Sequence, residues 1–333
     1  MVTVIIPVYN GEKTIGRALA SLISNIDYIE EVIVVDDGST DDTVKEVWRF
    51  RALLKRRLII HTVDGSQHGP GYCRRVGLLS AISKWVTFLD ADDCLTPSSL
   101  KYVTKHLTDN IAVLHTNTIY YESGNFDRET VGPQDNSCGG NFYKREYLIE
   151  NDLLPHETLR MAEDEYFNTK VDTFIRLVDP MGSLLIARYY YPVYEVHHDI
   201  EDGLSYALAN WGEYLTKYHL LAAQYIAEDF IGFKQIRDEI EEFYIISFVS
   251  AFFLLQGLLQ DNEVEFDRSE GFGYFKDAAQ FFEDIFAKDR SALIEWYKKN
   301  PETVFDLCEG ASLSVGFDIT TFLDFEEFIE NDC

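Results

Sequence analysis

The chain has 333 residues, 46% of them hydrophobic and 26% charged, with a formal net charge of −28. Those proportions describe a globular protein able to bury a sizeable core and exclude a disordered chain. The acidic excess argues against broad attraction to nucleic acid or to an anionic bilayer.

That excess is uneven: residues 1–110 sum to −1, residues 111–206 to −10 and residues 207–333 to −17. The one basic run, 49–57, reads as a solvated helix end rather than a phosphate-binding patch. Five cysteines, at 73, 94, 138, 308 and 333, show no C-x-x-C pairing. They are expected to be reduced thiols. Met1 leads directly into a strand-like segment without a signal peptide, so a cytoplasmic location is expected.

In chain order, apolar β-branched runs predict strands at 2–9, 31–37, 57–63, 85–90 and 111–121. Helical stretches fall between them at 13–26, 41–54, 72–83 and 97–107. Thr96 before Pro97 is a start signal for the last of these, and Ser39-Thr-Asp-Asp42 resembles a capping box for the second. Continuously apolar strands alternating with helices predict an α/β fold with a mainly parallel sheet covered on both faces. The carboxyl ends of such strands share one edge, where ligands bind. From about 122 to 206 the pattern loosens, and from 207 to about 299 it reads as helix rich in Phe, Tyr and acidic residues. Two domains are expected, 1–206 and 207–333, the first with halves at 1–110 and 111–206. The uncharged stretch 243–260 has acidic flanks and no Lys or Arg anchors, so it reads as a buried helix rather than a membrane span. These C-terminal helices could also support oligomerisation.

Two predicted strands run into carboxylates: Asp36-Asp37 after EVIVV, and Asp90-Ala91-Asp92-Asp93 after WVTFL. Alternation along a strand lets Asp90 and Asp92 converge while Ala91 turns away. A divalent cation between them would relieve their repulsion. All-oxygen ligation selects Mg²⁺ or Mn²⁺, ions that commonly bridge carboxylates and substrate phosphates. The alternative is a solvated turn capping the next helix. No G-x-x-x-x-G-K-[ST] loop occurs, and Gly69-Pro-Gly71-Tyr-Cys-Arg does not complete G-x-G-x-x-G, so a P-loop enzyme and a dinucleotide dehydrogenase both lose support.

In this order, VTVIIPVYNGEKTIGRALASL, EVIVVDDGSTDDT, GPGYCRRVGLLSA, WVTFLDADD and AEDEYF resemble the family 2 glycosyltransferases, over roughly residues 1–206. The resemblance implies a GT-A fold and an inverting, metal-assisted transfer from a nucleotide-diphosphate sugar, with a UDP-sugar favoured. It assigns Pro7, Val8, Tyr9, Glu12, Asp37, Gly69, Arg74, Asp90 and Ala91 to the nucleotide, and Asp92 to the metal. Arg75 stands where the family has asparagine. Asp164 corresponds to the general base, with Glu163 as its neighbour. His197 in YEVHHDIEDGLS is similar to a histidine that completes the metal shell, with His198 as competitor. Gly139, Gly140 and Asn141 fall in the wall around the transferred sugar, and Lys144-Arg145 lie where they could reach a phosphate. The expected acceptor is a saccharide or glycoconjugate rather than nucleic acid. Two rival readings stand beside this one: a non-catalytic sugar-nucleotide-binding or assembly subunit, and a metal-dependent phosphotransferase with an aspartyl nucleophile.

Overall fold

The run Val2-Thr-Val-Ile-Ile-Pro-Val8 forms strand β1, and every one of its residues is buried. The chain is represented by a computed structural model that describes residues 1–64, 67–121, 129–133, 137–178, 184–197, 212–260, 268–315, 324–331 and 333. It forms two compact units, Met1–Tyr206 and Ala207–Cys333.

In the first unit, β1 is followed by helix α1 (Ile15–Ser21), β2 (Ile29–Asp36), α2 (Thr43–Arg49), α3 (Arg51–Leu54) and β3 (Leu58–Thr62). Next come α4 (Pro70–Ser80), β4 (Trp85–Phe88), β5 (Cys94–Leu95), α5 (Leu100–Val103), β6 (Ile111–Tyr121) and β7 (Glu129–Pro133). The unit continues with β8 (Phe142–Lys144), α6 (Arg145–Glu150), α7 (Glu163–Thr173) and β9 (Leu185–His197). All nine described strands join one sheet in the order β3-β2-β1-β4-β8-β6-β9-β5, with β7 paired to β6.

The strands β3, β2, β1 and β4 are parallel, as their uninterrupted apolar character requires when helices cover both faces. Beyond β4 the sheet is mixed. Strand β8 enters antiparallel between β4 and β6, and β9 then runs parallel to β6. Two antiparallel steps restore direction, so β6 and β9 point the same way as β4. The carboxyl ends of β1, β2, β4, β6 and β9 therefore lie along one edge. This is the α/β architecture expected of the sequence, followed by a helical C-terminal region.

Three expected helices are shorter than their patterns. The 13–26 stretch gives α1 and then a tighter 3₁₀ segment, Ile23–Tyr28. Ser21 Oγ donates to the Ala18 carbonyl (2.7 Å) and Asn25 Nδ2 to the Ser21 carbonyl (3.4 Å), side-chain bonds that compete with the helical ladder. The 41–54 stretch breaks into α2 and α3, and the expected Ser39–Asp42 capping box is replaced by Asp41, whose Oδ1 accepts the Thr43 N–H (3.0 Å). The 97–107 stretch keeps only α5. Thr96 does not cap it; its N–H donates to the Val193 carbonyl (2.9 Å). Asn25 Oδ1 instead accepts the Leu100 N–H at 3.0 Å, a cap supplied from a distant part of the chain.

The second unit consists, among the described residues, of helices Gly212–Phe230, Arg237–Gln260, Arg268–Phe286, Ser291–Lys299, Pro301–Val315 and Phe325–Asn331. The uncharged stretch lies in Arg237–Gln260, where Tyr244, Phe248, Phe252 and Phe253 are buried. Phe248 and Phe252 meet Phe275, Phe325 and Phe328 in edge-on or tilted aromatic contacts. It is a core helix of that unit, and no described helix is long and apolar enough to cross a membrane.

Candidate active site

Register brings the two acidic strand ends together. Val8 of β1 pairs with Asp36, and Ile5 pairs with Phe88 of β4, so the residues after all three strands emerge at one edge. The Asp37 N–H donates to the Val8 carbonyl (2.8 Å), and the Leu89 N–H to that of Ile5 (3.0 Å). Pro7 and Val8 are buried beneath this edge, while Tyr9 is 40% exposed above it with its hydroxyl hydrogen-bonded by the Gln67 amide.

Asp37 is only 4% exposed, and its carboxylate accepts the backbone N–H groups of His68 (3.0 Å) and Gly69 (2.8 Å). It thereby pins the turn into α4. Oδ1 also lies 3.4 Å from the His68 ring Nδ1, whereas Oδ2, bonded by the Gly69 N–H, has capacity for a further donor. Glu12 serves a local purpose: Oε2 accepts the Asp42 N–H (3.0 Å) at the start of α2. Gly69 has φ +96°, a conformation that favours glycine. Gly71 has a different constraint, since a Cβ there would lie 2.3 Å from the His156 carbonyl oxygen. Gly71→Ala is therefore expected to lower stability by about 1–3 kcal/mol, read as a reduced midpoint of thermal unfolding.

Arg74, on α4, is 5% exposed and joins two acidic segments distant in sequence. Nη2 donates to Asp90 Oδ1 (2.7 Å) and Nη1 to Glu163 Oε1 (2.5 Å). Its Nε is buried and has no hydrogen-bond partner among the described residues. Neighbouring Arg75 pairs with Glu157 at 2.9 Å. Arg145 uses its guanidinium on the carbonyls of Leu78 and Leu79, and Lys144 donates to that of Asp109, so both have scaffold partners.

The turn after β4 is held from several sides. The Asp90 N–H donates to the Tyr194 hydroxyl (3.1 Å), the Asp92 carbonyl accepts Arg17 Nη2 (2.5 Å), and Asp93 Oδ1 accepts the His197 N–H (3.0 Å). Ala91 packs against the apolar core. Burial holds the Asp93 carboxyl well above the usual carboxylate range, and the charges of Asp92 and Asp90 push it the same way. Such mutual repulsion in an all-oxygen donor set is what a hard divalent cation would relieve. The residues present fit Mn²⁺ or Mg²⁺.

Helix α7 carries Glu163 and Asp164 in its first turn, where the helix dipole favours negative charge. Ala162 before it has φ +54°, a left-handed conformation that aims this turn at a local energetic cost. Glu163 is buried against Arg74. Asp164 keeps part of its surface open to solvent, and Glu165 N–H donates to its Oδ1 (2.9 Å). Burial, then the neighbouring charge of Glu163, raises its pKa to about 7.

The wall opposite is built from Gly139 and Gly140. A Cβ on either would come within 2.7 Å of the Tyr194 side chain, and the Gly140 N–H donates to the Phe88 carbonyl (3.0 Å). Asn141 faces inward: Oδ1 accepts the Thr116 N–H (3.1 Å) and Nδ2 donates to the Ser137 carbonyl (2.9 Å). It shapes this wall from behind. His197 stands beside Asp93, with Nε2 3.6 Å from Glu195 Oε2. His198 lies outside the described residues.

Comparison with known proteins gives the family and the fold. The model of Glycosyl transferase family 2 matches residues 3–167. The chain belongs to glycosyltransferase family 2. The poly(ribitol-phosphate) beta-N-acetylglucosaminyltransferase TarS of Staphylococcus aureus is 29% identical over 199 residues, covering 50% of this chain and 32% of TarS. The minor teichoic acid biosynthesis protein GgaA of Bacillus subtilis is 30% identical over 193 residues, covering 50% of this chain and 42% of GgaA. The matches thus span less than half the length of these relatives. Among solved structures, that of S. aureus TarS in complex with UDP-GlcNAc superposes with a TM-score of 0.65 at 21% identity, over 96% of this chain and 93% of that one. The mannosyltransferase PcManGT of Pyrobaculum calidifontis, with GDP-Man and Mn²⁺, gives 0.54 at 16%, over 96% and 87%. At such identities these superpositions establish the fold.

Within this family 2 fold, three residues near the centre went unassigned: Arg17, although it lies inside the first motif, and Tyr194 and Cys138, which lie outside all of them. Tyr194 and Arg17 bind the backbone of the Asp90–Asp93 turn, and Cys138 is a fully buried thiol within electrostatic reach of Arg74, Asp164 and Glu163. Burial pushes that thiol well up from its ordinary value. The one available clue was the Tyr-rich strand β9 entering the sheet, which placed Tyr194 opposite the paired glycines.

Proposed function

We propose that the chain transfers a sugar from a nucleotide-diphosphate donor, a UDP-sugar such as UDP-GlcNAc, to an acceptor hydroxyl with inversion at the anomeric carbon. The observation carrying this reading is Asp164: a carboxylate raised to about 7, partly open, within electrostatic reach of Glu163, Arg74 and Asp90. A carboxylate tuned to that range suits removal of an acceptor proton at neutral pH.

In this mechanism Pro7, Val8 and Tyr9 line the nucleotide face, and Asp37 accepts the N–H of the base. Gly69 lets the backbone approach the nucleotide, and Asp90 faces the ribose. Arg74 positions Asp90 and Glu163 through its two hydrogen bonds. A divalent cation, Mn²⁺ or Mg²⁺, held by Asp92 with His197 completing the shell, would supply neutralisation of the leaving diphosphate. Asp164 takes the proton from the acceptor oxygen as that oxygen attacks, so no covalent enzyme intermediate is needed. Gly139 and Gly140 leave room for the sugar in the wall formed with Tyr194. Residues 1–110 form the nucleotide-binding half and 111–206 the acceptor half.

The names of the relatives, which specify poly(ribitol-phosphate) and teichoic acid, favour a glycoconjugate acceptor with polyol-phosphate units. A cytoplasmic site of action fits a nucleotide-sugar donor. Calorimetric titration of UDP in the presence of Mn²⁺ tests the reading. Asp92→Ala is expected to weaken UDP affinity at least tenfold; unchanged affinity in that variant removes the metal–diphosphate assignment.

A further inference from the structure

Cys94, Glu195 and His197 meet on one face of the sheet. Strands β5 and β9 pair antiparallel with Cys94 directly opposite Glu195, so the two side chains leave the same face. His197, two residues further along β9, returns to that face by strand alternation. The Cys94 sulfur, a Glu195 carboxylate oxygen and a His197 ring nitrogen all lie within 4.8 Å of one another. Cys94 is buried, and the side chains of Glu195 and His197 are only 16% and 14% exposed, so the three ligand atoms face one another in a largely enclosed cluster.

We propose that these three side chains form a zinc site distinct from the oxygen-ligated cation site of Asp92. The ligand chemistry makes the separation. The imidazole is common to both, so the Cys94 thiolate decides: it selects a borderline-soft ion such as Zn²⁺, whereas Asp90 and Asp92 offer hard oxygen donors suited to Mg²⁺ or Mn²⁺. The geometry also fits. Tetrahedral Zn²⁺ has bonds of about 2.0–2.3 Å, so its ligand atoms stand roughly 3.3–3.8 Å apart. His197 Nε2 and Glu195 Oε2 already stand 3.6 Å apart, and small side-chain rotations bring the Cys94 sulfur to the same spacing. Water takes the fourth position. On binding, the Cys94 thiol releases its proton to solvent and ligates as thiolate.

The position gives the site a consequence for the proposed reaction, on whose reading this part rests. His197 is also the histidine assigned to the Asp92 cation, and its backbone N–H is bonded to Asp93. Zn²⁺ on Cys94 and Glu195 holds the His197 imidazole away from the Asp92 cation. Micromolar Zn²⁺ therefore antagonises Mn²⁺-dependent UDP binding, and the two metals compete for one imidazole rather than for one site.

Cobalt reports the first part without any donor. Metal-stripped full-length protein titrated with Co²⁺ is expected to bind one equivalent with a thiolate-to-cobalt charge-transfer band in the near ultraviolet, and Zn²⁺ is expected to erase it. Cys94→Ser and Cys94→Ala should abolish the band, and Glu195→Gln should weaken Co²⁺ binding at least tenfold, with circular dichroism confirming that the variants are folded. No band in the wild type, or a band that survives both Cys94 substitutions, overturns the site. For the second part, Zn²⁺ should lower UDP–Mn²⁺ affinity at least tenfold in the wild type and not in Cys94→Ser, which otherwise binds UDP normally. An equal zinc effect in both proteins, or none in the wild type, overturns the competition. Failure of all UDP binding would strike the donor reading and leave the cobalt result standing.

Discussion

Asp164→Asn is expected to reduce sugar transfer by about 10²–10⁴-fold while leaving UDP–Mn²⁺ affinity within a factor of about two, because a general base contributes to the barrier and not to donor binding. Asparagine keeps the shape and the contact with the Glu165 N–H but cannot take a proton at neutral pH. The wild-type pH profile follows from the same group. Asp164 acts in its ionised form and titrates at about 7, so kcat/KM should rise tenfold per pH unit below that value and level off above it. A limb centred near 4 would assign the base elsewhere. The substitution should also stabilise the fold. Burial raises the folded pKa of Asp164 above the ordinary 3.8, so the folded state favours the proton-bound form. The sign is then fixed: wild-type stability falls as pH rises from about 4 to 7, over which ionisation becomes unfavourable in the folded state only. The neutral amide carries no such penalty. The variant's advantage should be absent near pH 4 and constant above pH 7, at roughly 1–4 kcal/mol. Loss of activity with gain of stability would distinguish a strained catalytic carboxylate from a structural one, whose removal lowers both.

The parts of this arrangement visible in the sequence are those governed by local rules. Val2–Val8 is buried throughout and Ile29–Asp36 everywhere but Glu30; their Val- and Ile-rich stretches read as buried strands, and the acidic pair Asp36-Asp37 marks the edge at which the second ends. Asp90 and Asp92 were visible as carboxylates at the abrupt end of an apolar run, whereas Glu163 and Asp164 were singled out only by the family resemblance of AEDEYF. Strand β8 was not visible, because Phe142-Tyr-Lys144 is too short to show periodicity and is held by partners on both sides. Its antiparallel insertion makes the expected mainly parallel sheet a mixed one without reversing the edge. The shortening of the 13–26 helix has a local cause: Ser21 and Asn25 hydrogen-bond to the Ala18 and Ser21 carbonyls, which helix propensity would have assigned to the ladder. Only tertiary structure could reveal that Asn25 caps α5 in place of Thr96. The same holds for Arg74: its motif points toward the nucleotide, whereas its two short hydrogen bonds go to carboxylates from separate segments.

Arg74→Met should therefore damage the fold as well as the chemistry. The guanidinium is buried between Asp90 and Glu163, and an uncharged side chain of similar length leaves both carboxylates without their cation. Breaking a buried charge pair from one side costs about 3–5 kcal/mol, far more than losing an exposed pair. Lysine should not rescue it fully, since a single ammonium cannot reproduce the planar fork that meets two acids at once. The pH dependence gives the argument its specific form. Burial already raises the Glu163 carboxyl, and Arg74 is what opposes that rise. Without it, Glu163 should titrate higher still, and its protonation at acid pH should remove uncompensated charge. The stability deficit of Arg74→Met should therefore be largest near pH 8 and shrink as pH falls toward 5. Adding Glu163→Gln to Arg74→Met should recover part of the loss, a coupling readable from a double-mutant cycle of thermal or urea unfolding. A deficit below about 1 kcal/mol, constant across this range, would instead mark Arg74 as a ligand-facing residue whose two carboxylate contacts contribute little to the free protein.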